Sequence, residues 1–279
     1  MQMNAPMNVN IGGNQMNMSM NLGNNMNTPK DDAMNLIAQS SGCYIKQKVE
    51  LLEILTGCET KNRYDVALKI NNTFYKAFTC KEISNCCCRN FCYSEAREFQ
   101  MDIKYTPNGV DCGSWALIDR PFKCTCCCFC RPEMTVTLRN GMKIGKINEP
   151  WGCCNVNIDI TNNQNLLKYK IDRTYCETAL LCRNNYCGGM SAIDFPILLV
   201  DNSNPNNKIM DGNIERKGRS LLLSMLESDA DCFDVVFPKT ATPEEKLLII
   251  STVLMLDYRY FEDTDNDNKR NVGGIGIVI

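Results

Sequence analysis

Residues 134–147, MTVTLRNGMKIGKI, carry the clearest fold signal in the chain. Apolar residues alternate with polar ones before Asn140-Gly141, and an apolar run returns after it. A period of two is typical of a β-strand that buries one face. Asn-Gly is typical of a type I′ hairpin turn, because both central residues of that turn need positive φ. The stretch therefore predicts two antiparallel strands joined by a type I′ turn.

Similar alternating runs recur at residues 64–70, 156–160 and 167–171. Asn108-Gly109 and Asp211-Gly212 are typical of two further tight turns. Many short strands joined by hairpins are typical of closed barrels and of sandwiches. We therefore expect a mainly β protein.

A helix is predicted over the apolar residues 247–256, with Thr242 as a suitable N-cap and Pro243 as its first residue. At about 1.5 Å per residue this stretch spans ~15 Å, whereas the hydrocarbon core of a bilayer is ~30 Å thick. Asp257 and Arg259 follow it, and each would cost at least about 2.5 kcal/mol at the bilayer centre. A transmembrane helix is the alternative, but these features favour a helix buried inside the protein.

Composition excludes several classes of function. The 279-residue chain has a net charge of −2, so electrostatics provide no general attraction to nucleic acid. It contains no histidine, which removes Ser–His and Cys–His nucleophile pairs and histidine-based zinc sites. A phosphate-binding P-loop motif is also missing, so ATP use has no support.

The chain has 19 cysteines, and many are consecutive, as in Cys86-Cys87-Cys88, Cys126-Cys127-Cys128 and Cys153-Cys154. Adjacent cysteines pair poorly with each other because disulfide geometry is specific. The N-terminal residues show neither the basic nor the apolar region of a signal peptide. We therefore expect a reducing compartment, in which the thiols serve another purpose.

Five blocks resemble the phospholipid scramblase family, and they occur in the family's order over residues 37–262. The blocks are LLEILTGCETKNRYDV (residues 51–66), DRPFKCTCCCFC (119–130), GKI (145–147), SDADCFDVVFPK (228–239) and KLLIISTVLMLDYRYFE (246–262). The resemblance implies a closed, twelve-stranded tubby-like barrel around a central, largely apolar C-terminal helix. This domain is expected to span residues 31–262, after a disordered Met/Asn-rich head (1–30) and before an acidic and apolar tail (263–279).

The resemblance also implies a function. A phospholipid scramblase moves phospholipids in both directions between leaflets, in response to Ca²⁺ and without ATP, and is not an enzyme of covalent chemistry. The expected site is the cytosolic face of a membrane, most simply the plasma membrane, with phospholipids as partners. A helix buried in the barrel leaves no lipid path through a monomer, so an oligomer or a thinned bilayer would have to supply one. The alternative is a non-catalytic, acylated adaptor or lipid-responsive regulator on the same scaffold.

One cysteine run is the candidate lipidation site: Cys124, Cys126, Cys127, Cys128 and Cys130. The family uses these cysteines for palmitoylation, and several acyl chains at one place give stable anchoring. Nearby Arg120, Lys123 and Arg131 are predicted to favour an anionic leaflet. A four-cysteine zinc site and simple burial of the thiols are the alternatives.

The candidate calcium loop contains Asp229, Asp231 and Asp234. Ca²⁺ takes six to eight oxygen ligands, and aspartates at the first and third positions of a loop are a normal beginning. Thr240 stands where a bidentate carboxylate is expected, so we expect weak binding, with Kd about 10⁻⁴ to 10⁻³ M. An exposed acidic turn without a metal is the alternative.

Overall fold

Twelve antiparallel strands close into a barrel in the computed structural model. The structure describes residues 7–11, 14–18, 29–48, 62–83, 98–123, 130–152, 155–174, 192–201, 208–217 and 232–261. Its strands are β1 (Met7–Ile11), β2 (Asn14–Met18), β3 (Gly42–Lys48), β4 (Arg63–Ile70), β5 (Thr73–Ile83), β6 (Phe99–Tyr105), β7 (Ser114–Arg120), β8 (Glu133–Leu138), β9 (Lys143–Asn148), β10 (Asn155–Asn162), β11 (Leu167–Thr174), β12 (Ile193–Val200), β13 (Lys208–Arg216) and β14 (Cys232–Val236). Its helices are α1 (Pro29–Gln39) and α2 (Pro243–Tyr260), with a short 3₁₀ turn at Pro107–Gly109.

The barrel is a meander, because each strand from β3 to β14 pairs with its neighbours in sequence. The last strand returns to the first, with Phe233 opposite Ile45, and this pairing closes the sheet. Strands β1 and β2 pair only with each other. The alternation expected along the strands is confirmed: in β10, for example, Val156, Ile158 and Ile160 are all buried.

Helix α2 lies inside this barrel. Its N-terminus forms a capping box, in which the Thr242 hydroxyl accepts from the Glu245 N–H (3.3 Å) and the Glu245 carboxylate accepts from the Thr242 N–H (3.0 Å). Every residue from 245 to 258 is buried, which covers all faces of a helix. The prediction of a closed barrel around a C-terminal helix is thus confirmed.

Polar residues of α2 are satisfied from within the core. Ser251 and Thr252 donate to the carbonyl oxygens one turn earlier, at 2.9 and 2.8 Å, so their hydroxyls need no other partner. Asp257, which follows the apolar stretch, is also buried, and the Tyr64 hydroxyl of β4 donates to it at 2.6 Å.

Helix α1 is joined to α2 by a buried lysine. The Lys246 ammonium donates to the carbonyl oxygens of Ile37, Ala38 and Ser40 at 3.2, 2.9 and 2.7 Å. These carbonyls lie at or just after the C-terminus of α1, where helical carbonyl groups have no partner within the helix. The lysine therefore caps one helix from the side of the other.

The turns differ from the expected ones. Asn140-Gly141 does connect two strands, but only Gly141 has positive φ (87°), and its N–H donates to the Leu138 carbonyl at 2.9 Å. The type I′ prediction is therefore wrong, and a three-residue loop with a left-handed glycine replaces it. Two left-handed central residues occur instead at Asn71 and Asn72, between β4 and β5.

Asp211-Gly212 is not a turn, and that prediction is also wrong. Both residues lie within β13, where the pairing with β12 skips from Gly212 to Met210. Asp211 is therefore the extra residue of a β-bulge. A Cβ on Gly212 would lie 2.7 Å from the Val236 carbonyl oxygen, so close backbone approach explains the glycine.

Candidate functional site

The two ends of the barrel are distinct, and the connections that contain most of the predicted site residues join strands at one of them. Strands β3, β5, β7, β9, β11 and β13 all run toward this end, and the even-numbered strands begin there. It is called the cysteine-rich end here, because the chain between β7 and β8 contains all five candidate lipidation cysteines. The other end, with short hairpin connections, is called the hairpin end.

The connection that contains most of the candidate calcium loop joins two strands at the same end. Asp229 and Asp231 belong to the connection from β13 to β14, and Cys232 begins β14. The strand pairs β7–β8 and β13–β14 lie on opposite sides of the ring, so the two connections begin and end at distant points along it. Sequence spacing could not have indicated this placement.

Of the five candidate cysteines, the structure describes Cys130, which is exposed. Cys124, Cys126, Cys127 and Cys128 lie outside the described residues. An exposed thiol is compatible with acylation, and it argues against simple burial for this one cysteine.

The basic residues beside these cysteines are not the open patch that the sequence suggested. Arg120 is 3% exposed, and its guanidinium lies over the rings of Tyr258 (5.0 Å) and Phe99 (5.6 Å). Lys123 forms an ion pair with Glu133 at 3.1 Å. The prediction that Arg120 favours an anionic leaflet is therefore wrong, because its charge is used inside the barrel.

Arg131 belongs to a buried cluster centred on Glu149. One carboxylate oxygen of Glu149 pairs with Arg131, and the other accepts from Nε of Arg259 at 3.0 Å. The Glu149 N–H also donates to the Pro132 carbonyl at 3.0 Å. This cluster ties the connection before β8, the connection after β9 and the end of α2 together. Sequence reasoning missed it because its members are far apart in the chain.

Asp234 lies within β14 and not in a loop. It is half-buried, opposite Glu215 of β13, and its carboxylate is 3.8 Å from the Lys217 ammonium. Hydrogen bonding to Glu215, at 2.7 Å, raises the pKa of Lys217, and Asp234 adds to this effect. Asp229 and Asp231 lie outside the described residues, among which no cluster of three or more acidic or thiol groups could hold a metal.

Two other cysteines belong to the core. Burial raises the pKa of Cys43, with a further contribution from Asp234, and burial also raises the pKa of Cys80. Both thiols are fully buried among the inward side chains of the barrel. Such cysteines behave as small apolar residues rather than as reactive groups.

No helix within the described ranges combines the length and hydropathy needed to cross a bilayer. This agrees with the position of α2 inside the barrel. Lys246 and Asp257, at the two ends of the apolar stretch, were the sequence signals for buried partners. The partners themselves, the end of α1 and Tyr64, come from distant segments of the chain.

Comparison with known proteins gives a consistent result. A family model described as Scramblase matches residues 18–263. Phospholipid scramblase 4 of Mus musculus is 29% identical over 232 residues, which are 81% of this chain and 63% of the relative. Phospholipid scramblase 1 of Mus musculus is 27% identical over 240 residues, or 84% and 65% of the two chains. Phospholipid scramblase 2 of Bos taurus is 27% identical over 233 residues, or 82% and 71%.

The alignment thus spans less than two thirds of the length of the first two relatives. No solved structure matches the chain.

Proposed function

The chain belongs to the scramblase family, and from this premise we propose that it moves phospholipids between the leaflets of a membrane. The observation that carries the proposal is the extent of the family match, which includes the whole barrel and α2. The relatives named phospholipid scramblases support the same activity. The protein acts as a lipid translocator and catalyses no covalent reaction.

The filled barrel bears on the path of the lipid. Side chains of α2 pack in one core with inward residues of the strands, so the interior offers no route for a headgroup. The proposed route runs along the outside of the barrel, where an oligomer or a locally thinned bilayer lowers the barrier. Movement down a gradient in this way needs no ATP.

Acyl chains on Cys124, Cys126, Cys127, Cys128 and Cys130 are proposed to anchor the protein to the cytosolic face of the plasma membrane. Each buried CH₂ of an acyl chain contributes about 0.8 kcal/mol, and two or more chains are needed for stable anchoring. The exposure of Cys130 supports this role.

Calcium is proposed to act through Asp229, Asp231 and Asp234. Lys217 lies close to Asp234 and would have to be displaced by the cation, which is consistent with weak binding, with Kd about 10⁻⁴ to 10⁻³ M. Replacing Asp229 with Asn should then abolish the response to Ca²⁺ without changing the fold.

The test uses purified full-length protein in liposomes with a fluorescent phospholipid in both leaflets and a reductant that bleaches only the outer one. The proposal expects more than half of the fluorescence to be lost, faster with millimolar Ca²⁺ and without ATP. Protein-free liposomes are the control. If the folded protein leaves the inner leaflet protected, lipid movement is disproved.

The second candidate is a non-catalytic, acylated adaptor or lipid-responsive regulator. The filled interior of the barrel favours it, because the fold then provides a rigid surface and no conduit. Membrane recruitment without lipid movement in the same liposomes would select this candidate.

A further inference from the structure

The connections at the two barrel ends differ in composition. The five hairpin-end connections are residues 71–72, 106–113, 139–142, 163–166 and 201–207, and they contain ten asparagines and one cysteine. The six cysteine-rich-end connections are residues 49–62, 84–98, 121–132, 149–154, 175–192 and 217–231, and they contain 15 of the 19 cysteines. By sequence, the connections at one end are thus rich in asparagine and those at the other end are rich in cysteine. Exposed aliphatic side chains such as Val110, Met142 and Leu166 occur at the hairpin end as well.

Two large aromatic side chains are exposed at the cysteine-rich end. Phe122 follows β7 and is 55% exposed, and Trp151 follows β9 and is 61% exposed. No other Phe, Tyr or Trp in the described part of the chain is exposed. Strands β7 and β9 are separated only by β8, so their ends lie about 10 Å apart.

Both aromatic residues leave the barrel from firmly held positions. Phe122 lies between Arg120, which packs over two rings in the core, and Lys123, which is paired with Glu133. Trp151 comes two residues after Glu149, the centre of the buried arginine cluster. Both aromatic side chains are thus exposed at positions whose neighbours in sequence are held by contacts with the barrel.

We propose that the barrel rim at the ends of β7 and β9 contacts the lipid bilayer directly, with Phe122 and Trp151 as aromatic anchors at the lipid–water interface. Aromatic side chains, and tryptophan in particular, favour this interface because one part of the ring system is apolar and another is polar. The contact acts alongside acyl chains and does not require them. It rests on the membrane role given under the proposed function, and it assigns the orientation: α2 points its C-terminal end at the membrane.

The orientation follows from the contacts of α2. Its first turn meets Tyr169, near the beginning of β11 at the hairpin end, with the Tyr169 hydroxyl 3.1 Å from Glu245. Its last turn meets Glu149 and Phe99 at the cysteine-rich end, through Arg259 and Tyr258. The helix axis therefore runs from the hairpin end of the barrel to the proposed membrane contact.

The chain carries its own reporter for this contact. It has two tryptophans, and Trp115 is buried near the hairpin end, with its ring 5.0 Å from that of Phe78. Full-length protein made without acyl chains is mixed with vesicles of phosphatidylcholine and phosphatidylserine that contain brominated acyl chains. Quenching of Trp151 and a blue shift of its emission are expected. Unshifted and unquenched emission would overturn the proposal.

Vesicle sedimentation tests the two anchors together. Replacing Phe122 and Trp151 with Ser should weaken binding by roughly tenfold or more, because each loses the transfer of an apolar ring from water. The matched control replaces Val110 and Met142, exposed at the hairpin end, with Ser and should bind like the parent. Thermal unfolding of both variants shows whether the fold is intact. Equal binding of all three proteins would overturn the proposal.

The lipid-movement assay separates this inference from the proposed function. A parent that is quenched by brominated lipid but moves no lipid supports the contact and disproves scrambling. A parent that scrambles, with unchanged activity and unchanged binding in the double variant, disproves the contact and leaves scrambling in place.

Discussion

At the level of single residues, the core of the barrel is defined by side chains that α2 projects in all directions. Leu254 is one of them, and it is about 1% exposed. Replacing it with Ala should leave a cavity and lower the free energy of unfolding by roughly 2 to 5 kcal/mol. Leu166→Ala, at a position that is 46% exposed, is the control and should change stability by no more than about 0.5 kcal/mol. Urea unfolding followed by circular dichroism measures both, and equal effects would contradict the buried position of α2.

The lowered pKa of Asp65 in the folded protein predicts a specific dependence of stability on pH. Burial alone would raise its pKa, but hydrogen bonds from Lys48 (2.6 Å) and Lys76 (3.0 Å) outweigh burial and lower the pKa below its usual value of 3.8. Near that pH the unfolded chain therefore binds more protons than the folded one. The stabilisation is present above about pH 4 and is lost as pH falls through the lowered folded-state pKa.

Asp65→Asn should remove this contribution, so its stability should fall less steeply than that of the parent below about pH 4. Asp119→Asn is the control, since Asp119 accepts a hydrogen bond from the neutral Gln100 side chain. Urea midpoints collected across this range compare the three proteins. Parallel curves for the parent and Asp65→Asn would show that Asp65 is not linked to folding in this way.

At the level of elements, β9 passes close to both β10 and α2. A Cβ on Gly145 would lie 2.2 Å from the Thr161 carbonyl oxygen and 2.9 Å from a methyl carbon of Leu248. Gly145→Ala should therefore destabilise the fold by about 1 to 3 kcal/mol through overpacking. Lys143→Ala, at an exposed position of the same strand, should be nearly neutral. A melting temperature of Gly145→Ala equal to that of Lys143→Ala would refute this close approach.

The Lys246 contact between α1 and α2 makes a second prediction at this level. Lys246→Met keeps the apolar stem but removes this donor from the Ala38 and Ser40 carbonyls, which should cost about 2 kcal/mol, while the Ile37 carbonyl still accepts from the N–H and the hydroxyl of Ser40. Lys239→Met, at an exposed position, is the control. Amide hydrogen exchange should rise in α1 of the Lys246 variant before it rises in the barrel. Unchanged protection of α1 would mean that the lysine does not hold it.

Sequence patterns predicted the elements better than the turns between them. Alternation along β4 and β10 reflects burial of one strand face. Residues 247–256 are apolar except for Ser251 and Thr252, which reflects burial on every side of the helix. Both patterns can be recognised from the sequence alone. The turn predicted at Asp211-Gly212 was wrong because the sequence does not distinguish a glycine required by close backbone contact from a glycine required by a turn. The positions of the candidate cysteines and aspartates at one barrel end depend on strand direction, which no local pattern contains.

At the level of the whole molecule, the barrel should depend on α2 for its stability, because the inward residues of the strands share one core with it. A chain ended after Thr242 should lose cooperative thermal unfolding and expose apolar surface to a hydrophobic dye. The control is a chain ended after Phe261, which keeps the complete helix. A synthetic peptide of residues 243–261 should restore part of the cooperativity. A truncated chain that melts like the control would show that the strands form a core without α2.

The position of α2 in the chain also has a consequence for biosynthesis. All strands of the barrel precede it, so a ribosome delivers the wall of the barrel before the helix that fills it. The Lys246 ammonium and its carbonyl partners are 206 to 209 positions apart, so these hydrogen bonds can form only long after the carbonyl groups of α1 have been synthesised. Contacts over such distances form slowly, and unfilled strands with apolar inner faces are prone to aggregation. Nascent chains should therefore stay bound to chaperones until residues 243–260 have left the ribosomal tunnel and can enter the barrel.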